Sequence, residues 1–339
     1  VSNRFRVSST LFRRLEELGL SSETVLRTAG LSPNLFEQER VLLTTEELFA
    51  LHRALEAGSD DPALGLKLGT EERVERYDPI AIAALYARSF RDALQRMARY
   101  KRLSCPEAIH VVEQGDECRV QFEWLLAKEA EPALLTDIVF AWVVEIARRG
   151  TGNAVHAKQV EFSRSERHRA VYEGHFGCPV QFGARDNALL FRKADLERPF
   201  VTHNADVFAL VAPQLEAELA EQLSRRTFRE QVKATLKRTL AGHRPELRQV
   251  ARELGVSART LQRRLTDERV TFQQLIAEAR HELARHYLQH SSLELNETAY
   301  LLGYEDSNSF FRAFQQWEGT TPGEWRARRE ASRTSELVL

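Results

Sequence analysis

Apolar positions change their period along the chain, and each change marks an element. Over roughly the first 70 residues the spacing is that of short helices: Leu11, Leu15 and Leu18 share one face, with Gly19 and Gly30 at helix ends. Asp78-Pro79 then opens a run in which Ile82, Leu85, Tyr86, Leu94, Met97 and Tyr100 recur at helical spacing. The period switches to two where Val120, Phe122 and Trp124 alternate with Arg119, Gln121 and Glu123. Ile109 and Val111 alternate likewise, so a hairpin across Gln114-Gly115-Asp116-Glu117 is predicted. A nearly all-apolar helix follows from Ala133 to Arg149, then a strand at Val160 and Phe162 and a short helix to about Phe176. Val180-Gln181-Phe182 and Leu189-Leu190-Phe191 read as a second hairpin around residues 183–187. These elements predict an α+β N-terminal domain, helices packed on a small antiparallel sheet.

From Pro213 onward no strand pattern remains. Leu215, Leu219 and Leu223 form a stripe on a helix expected to begin at Pro213. Thr227-Phe-Arg-Glu230 is a capping box, in which the Thr hydroxyl and Glu carboxylate satisfy first-turn N–H groups. The boundary is therefore placed between Ser224 and Thr227. Residues 1–224 form the first domain and 225–330 an all-α second domain, with 331–339 a flexible tail.

The second domain repeats itself. Ala251-Arg-Glu-Leu-Gly255 is followed by Leu261 and Leu265, and 48 residues on, Ala299-Tyr-Leu-Leu-Gly303 is followed by Phe310 and Phe314. A helix-turn-helix needs a small residue for close helix approach, a Gly for a left-handed turn, and an apolar i, i+4 pair to seat the second helix. Ser257 caps one second helix, and Asp306 or Ser307 the other. Between the motifs, Phe272, Leu275, Ile276, Ala279 and Leu283 run at helical spacing to about His290. Such a connector, about 28 Å long, holds two recognition helices about one DNA turn apart. Arg259, Gln262 and Arg263 lie opposite Leu261 and Leu265, and Ser307, Asn308 and Arg312 occupy the outward face of the second recognition helix. Arg pairs bidentately with guanine and Gln with adenine, so these six are the candidate base readers. Arg264, Arg269 and Arg326 are candidate phosphate contacts.

Residues 245–329 closely resemble the double helix-turn-helix domain of the AraC/XylS family of bacterial transcription regulators. The resemblance rests on Gly303-Tyr304, on Ser307-Asn-Ser-Phe-Phe-Arg-Ala-Phe314, and on Gly319-Thr-Thr-Pro322 closed by Trp325-Arg326. It implies double-stranded DNA as a partner and places that family's base-reading positions on the six residues named above. Glu305, Asp306, Gln315 and Gln316 depart from the basic residues the family often carries there, which weakens attraction at the second motif. Residues 1–220 resemble the arabinose-binding-type sensor half of one AraC branch, through Asp61-Pro-Ala-Leu-Gly-Leu66, the helix from Leu94 to Tyr100, and Phe176-Gly-Cys-Pro-Val-Gln-Phe182. That implies a small-molecule effector, a homodimer and contact with RNA polymerase, and fixes no ligand; arabinose itself is not implied.

Composition at first argues against nucleic acid: 48 Lys and Arg against 49 Asp and Glu leave a net charge of −1. Split after Ser224, however, the chain carries 28 basic and 34 acidic residues before the cut, and 20 basic and 15 acidic after it. An acidic half precedes a basic one. Cys105, Cys118 and Cys178 are isolated and support neither a disulfide framework nor a zinc site. The N-terminus lacks a signal-peptide core, and the apolar stretch 133–146 is short and charged, so a cytoplasmic location and no membrane partner are expected. His281 and His286 are five apart, about 140° around a helix, and so do not form a metalloprotease pair. No metal, cofactor or catalytic residue is expected. Trp124, Trp142, Phe162 and Phe182 are either core or the lining of an effector pocket. Two other readings of the first half remain: a ligand-independent interaction module, or an enzyme fused to a DNA-binding tail.

Overall fold

The computed structural model describes residues 5–7, 10–37, 41–71, 73–127, 129–224, 227–240, 245–290 and 293–335. Contacts divide the chain into two compact units, Ser2–Ala220 and Glu221–Leu339. The first begins with β1 (Phe5–Arg6), α1 (Thr10–Glu17), α2 (Ser22–Thr28), β2 (Leu42–Leu43), α3 (Thr45–Ala57) and α4 (Leu64–Gly69). β1 and β2 pair antiparallel. The two-residue strands are too short to show a period, which is why the sequence pattern missed them. A capping box of Thr44 and Glu47 starts α3, and Leu15, Leu26, Phe49 and Leu55 close a small core beneath these helices.

The run beginning at Asp78-Pro79 folds as two helices, α5 (Pro79–Leu85) and α6 (Phe90–Ser104). Asp78 caps the first by accepting from the Ala81 N–H at 2.7 Å, and Ser89 caps the second. β3 (Glu107–Gln114) and β4 (Glu117–Trp124) form the expected hairpin, with Val111 opposite Val120 and Ile109 opposite Phe122. α7 (Ala133–Thr151) is the apolar helix at the centre of this unit. It lies so close to α4 that a Cβ on Gly69 would fall 2.2 Å from the Ile138 carbonyl oxygen. Only glycine fits there.

The remaining elements are β5 (Gln159–Phe162), α8 (Arg169–Phe176), β6 (Val180–Phe182), β7 (Ala188–Arg192) and α9 (Ala205–Ser224). The five-stranded sheet has the order β3-β4-β7-β5-β6. The predicted second hairpin is therefore wrong, because β5 lies between β6 and β7. β6 runs parallel to β5, with Val160 beside Val180 and Phe162 beside Phe182, and α8 provides the crossover. The sheet is mixed, not purely antiparallel. Residues 183–187 step across the end of β5, where Asn187 Oδ1 accepts the Ser163 N–H at 2.8 Å. Phe140 of α7 stacks on Phe162 at 5.6 Å between ring centres, which seats the helix on the sheet.

α9 also differs from expectation. It begins eight residues before Pro213 and carries that proline in its interior. Leu215 packs with Ile80, Ala83 and Tyr100, and Arg99 holds Glu216 at 2.8 Å, so tertiary contacts outweigh the missing backbone donor.

The second unit is helical throughout its described residues after α9: α10 (Phe228–Thr239), α11 (Leu247–Glu253), α12 (Ala258–Asp267), α13 (Phe272–His290), α14 (Leu295–Leu301), α15 (Ser307–Glu318) and α16 (Pro322–Ser335). The Thr227–Glu230 capping box is formed. α10 to α12 close one core with the first half of α13, around Leu236, Val250, Leu261 and Leu275. α14 to α16 close another with its second half, around Leu288, Phe310, Phe314 and Trp325. α16 continues to Ser335, into the segment predicted as a tail, and residues 336–339 lie outside the described set.

Candidate nucleic-acid interface

Each motif is built from the residues that the repeat singled out. Gly255 and Gly303 adopt φ of +66° and +69°, the left-handed conformation that turns α11 into α12 and α14 into α15. Ala251 and Ala299 are buried where the paired helices meet. Ser257 Oγ accepts the Thr260 N–H at 3.1 Å and starts α12. Asp306, not Ser307, caps α15, accepting from the Ser309 N–H at 2.8 Å and the Ser309 hydroxyl at 2.6 Å. Those bonds hold the Asp306 carboxyl below its ordinary pKa, so it stays charged at the start of the second recognition helix.

Leu261 and Leu265 face inward on α12, while Arg259, Gln262 and Arg263 are exposed on the other side. Arg264 is exposed as well, its guanidinium 5.0 Å from the Phe228 ring centre. On α15, Phe310 and Phe314 are fully buried, and Asn308 and Arg312 are exposed. Ser307 is half-buried and donates its hydroxyl hydrogen bond to Asn296 Oδ1 on α14 at 2.7 Å. That bond competes with any it would offer outward. Arg312 reaches back to the Ser309 hydroxyl at 3.4 Å. Arg326 is half-buried, donating to the Leu293 carbonyl at 2.9 Å. It helps hold α16 in place, a role that sequence reasoning missed because spacing does not show burial. Arg269 is exposed at φ +55°, in the turn before α13.

Two further contacts had no sequence signal. Asn296 sets the orientation of Ser307, and Glu318 gathers His281 Nε2 at 2.6 Å and Trp325 Nε1 at 3.0 Å. His281 is thereby engaged within the fold. Among the described residues no group of three His, Cys, Asp or Glu side chains has the arrangement of a metal site. No helix among them is long and apolar enough to cross a membrane.

In the first unit the four aromatics do not share one lining. Phe162 is fully buried and Phe182 lies 5.6 Å from it. Trp124 packs edge-on against Phe49 in the separate small core, and Trp142 lies under Lys101 at 5.6 Å. Cys105 and Cys118 are buried, and burial pushes all three thiols up to about 11, away from the thiolate form that nucleophilic chemistry requires.

Two helix-turn-helix motifs on one connecting helix, each presenting exposed polar residues, define the class of DNA-binding regulators. Comparison with known proteins gives the family. Residues 19–200 match the arabinose-binding domain of AraC transcription regulators, and residues 250–328 match a helix-turn-helix domain. The chain belongs to the AraC family of transcription regulators, and it is a DNA-binding regulator of that kind. Among its relatives is the ornithine utilization regulator of Pseudomonas aeruginosa, 28% identical over 324 residues that span 94% of both chains. The HTH-type transcriptional regulator VirS of Mycobacterium tuberculosis is 25% identical over 317 residues, 92% of this chain and 93% of VirS. Of solved structures, the transcriptional regulator CdpR of Pseudomonas aeruginosa aligns over 95% of this chain and 99% of its own, with 23% identity and a TM-score of 0.45.

Proposed function

We propose that the protein reads two successive major grooves on one face of the duplex, inserting α12 and α15. Arg259, Gln262 and Arg263 contact base edges in the first groove, and Asn308 and Arg312 those in the second. Ser307, tied to Asn296, contributes by supporting the start of α15. Arg264 and Arg269 contact phosphates. The observation that carries this reading is the duplicated motif on a single 19-residue helix, about 28 Å long. Residues 1–224 act as the sensing and dimerisation part, 225–330 as the reading part, with a small-molecule effector suggested by the family of the first half. Effector binding shifts the population toward arrangements that align the reading units of a homodimer and present them to RNA polymerase. This reading requires no catalytic step and no cofactor, and it places the protein in the cytoplasm.

Selection of binding sites from random duplexes tests it. The expected product is a site with two boxes whose centres lie about 10 base pairs apart. Repeating the selection with Arg263→Ala should relax base preference at one position of one box, at a cost of about 1–3 kcal/mol on the selected site and little on random DNA. A single box, or equal losses on both DNAs, would count against the reading.

A further inference from the structure

The connector α13 is attached to the two motifs by different chemistry. Toward the first, Arg229, Lys233 and Lys237, spaced i, i+4, i+8 on α10, form a ladder with Glu278 and Glu282 of α13. Arg229 pairs with Glu278, Lys233 Nζ lies 2.7 Å from Glu282 Oε1, and Lys237 Nζ lies 2.6 Å from Glu282 Oε2. Leu236, Leu275, Ile276 and Ala279 are buried within the same core.

Toward the second motif, one side chain of α13 reaches the turn itself. Arg280 Nε donates to the Leu302 carbonyl at 2.9 Å, and a terminal guanidinium nitrogen donates to the Gly303 carbonyl at 2.5 Å. Its guanidinium carbon lies 4.2 Å from the centre of the Tyr304 ring. Leu302-Gly303-Tyr304 is the turn from α14 into α15, and its left-handed glycine sets the direction in which the recognition helix leaves. About 140° around α13 from Arg280, Arg285 approaches Glu318 at the far end of α15, with His281 beside it. The recognition helix is thus attached to the connector at both of its ends.

Resting on the two-groove reading above, we propose that Arg280 is a positioning residue. It fixes the angle of α15 to the connector, and so sets which spacing between the two DNA boxes the protein accepts. A planar guanidinium suits this role: its fork spans two successive carbonyls while its face stacks on an aromatic ring, which a lysine ammonium does not reproduce. Spacing is sensitive to the angle because one added base pair moves the second box by about 3.4 Å along the axis and rotates it by about 34°.

The test uses the full chain and the selected duplex, with the boxes moved apart or together by one base pair, and with the first box alone. Fluorescence anisotropy reads each affinity. The wild type should prefer the selected spacing by more than about tenfold, and Arg280→Lys should reduce that preference to within about threefold while keeping the affinity for the first box. Tyr304→Leu, which leaves both carbonyl contacts available, should give an intermediate preference. An Arg280→Lys protein with the wild-type preference overturns the proposal, as does one that loses first-box affinity in parallel, the mark of general unfolding. A wild type indifferent to spacing overturns the two-groove reading itself, before any variant is compared.

Discussion

Glu131 precedes α7, with its Oε2 shielded from solvent and the Trp124 indole among its polar neighbours. Its other oxygen accepts from the Thr136 hydroxyl at 2.7 Å and from Asn187 Nδ2 at 2.9 Å. Burial, reinforced by the negative charge of Glu107, outweighs these donors and pushes the carboxyl up to about 7. Asp137, six residues on, is also raised by burial, but there Arg164 at 2.5 Å and the Tyr172 hydroxyl, which donates to it at 3.0 Å, oppose the rise. The folded protein therefore holds a proton on Glu131 that an unfolded chain, near 4.5, has released. The stability tied to this proton is fully present below about pH 4.5 and is lost as pH rises through about 7. The loss is on the order of 1–3 kcal/mol across that window. Glu131→Gln keeps an acceptor for Thr136 and Asn187 without the charge. Urea unfolding at pH 5 and pH 8 should show the variant matching the wild type at the lower pH and exceeding it at the higher. An equal difference at both values would contradict the assignment. Nothing in the sequence distinguished Glu131 from the other acidic residues around it, since its environment is assembled from Glu107 and Asn187, both distant in the chain.

The helix-turn-helix elements were legible because their determinants are local. Ser257, Gly255 and the Leu261–Leu265 pair specify a cap, a turn and a buried face within eleven positions, and the structure contains all three. Strand pairing in the first unit was not legible to the same degree. The alternation that identified β6 and β7 says which residues face inward, but it does not name the neighbouring strand, and the crossover through α8 put β5 between them. The start of α9 was misread for a related reason. Proline favours a first helical turn, and only the packing of Phe208 and Val211 before it, beside Leu215 after it, shows that the helix extends through it. Pro213 is exposed and offers no N–H to the carbonyl of Ala209. Pro213→Ala should accordingly stabilise the chain by roughly 1–3 kcal/mol, a gain readable in urea unfolding. A destabilised variant would mean that α9 depends on the local geometry that the proline imposes.

For the whole molecule, charge separates the two motifs. Residues 247–267 carry Arg248, Arg252, Arg259, Arg263 and Arg264 against Glu253 and Asp267. Residues 294–318 carry Arg312 alone against Glu294, Glu297, Glu305, Asp306 and Glu318. Counterion release scales with the cations placed on phosphates, so under the proposed two-groove reading the first motif would supply most of the salt-dependent attraction and the second would add selectivity at close range. The near-neutral total conceals this division. With Arg264 and Arg269 on phosphates, affinity for a two-box site should fall by at least roughly tenfold between 50 and 200 mM salt. Arg264→Ala should make the logarithmic slope shallower by about one. Glu305→Gln, which removes a like charge at the start of α15, should strengthen binding, most clearly at low salt where screening is weakest. Titrating each variant across that salt range measures all three effects. A flat response in the wild type, or an Arg264→Ala slope that does not change, would remove the first motif from the role assigned to it.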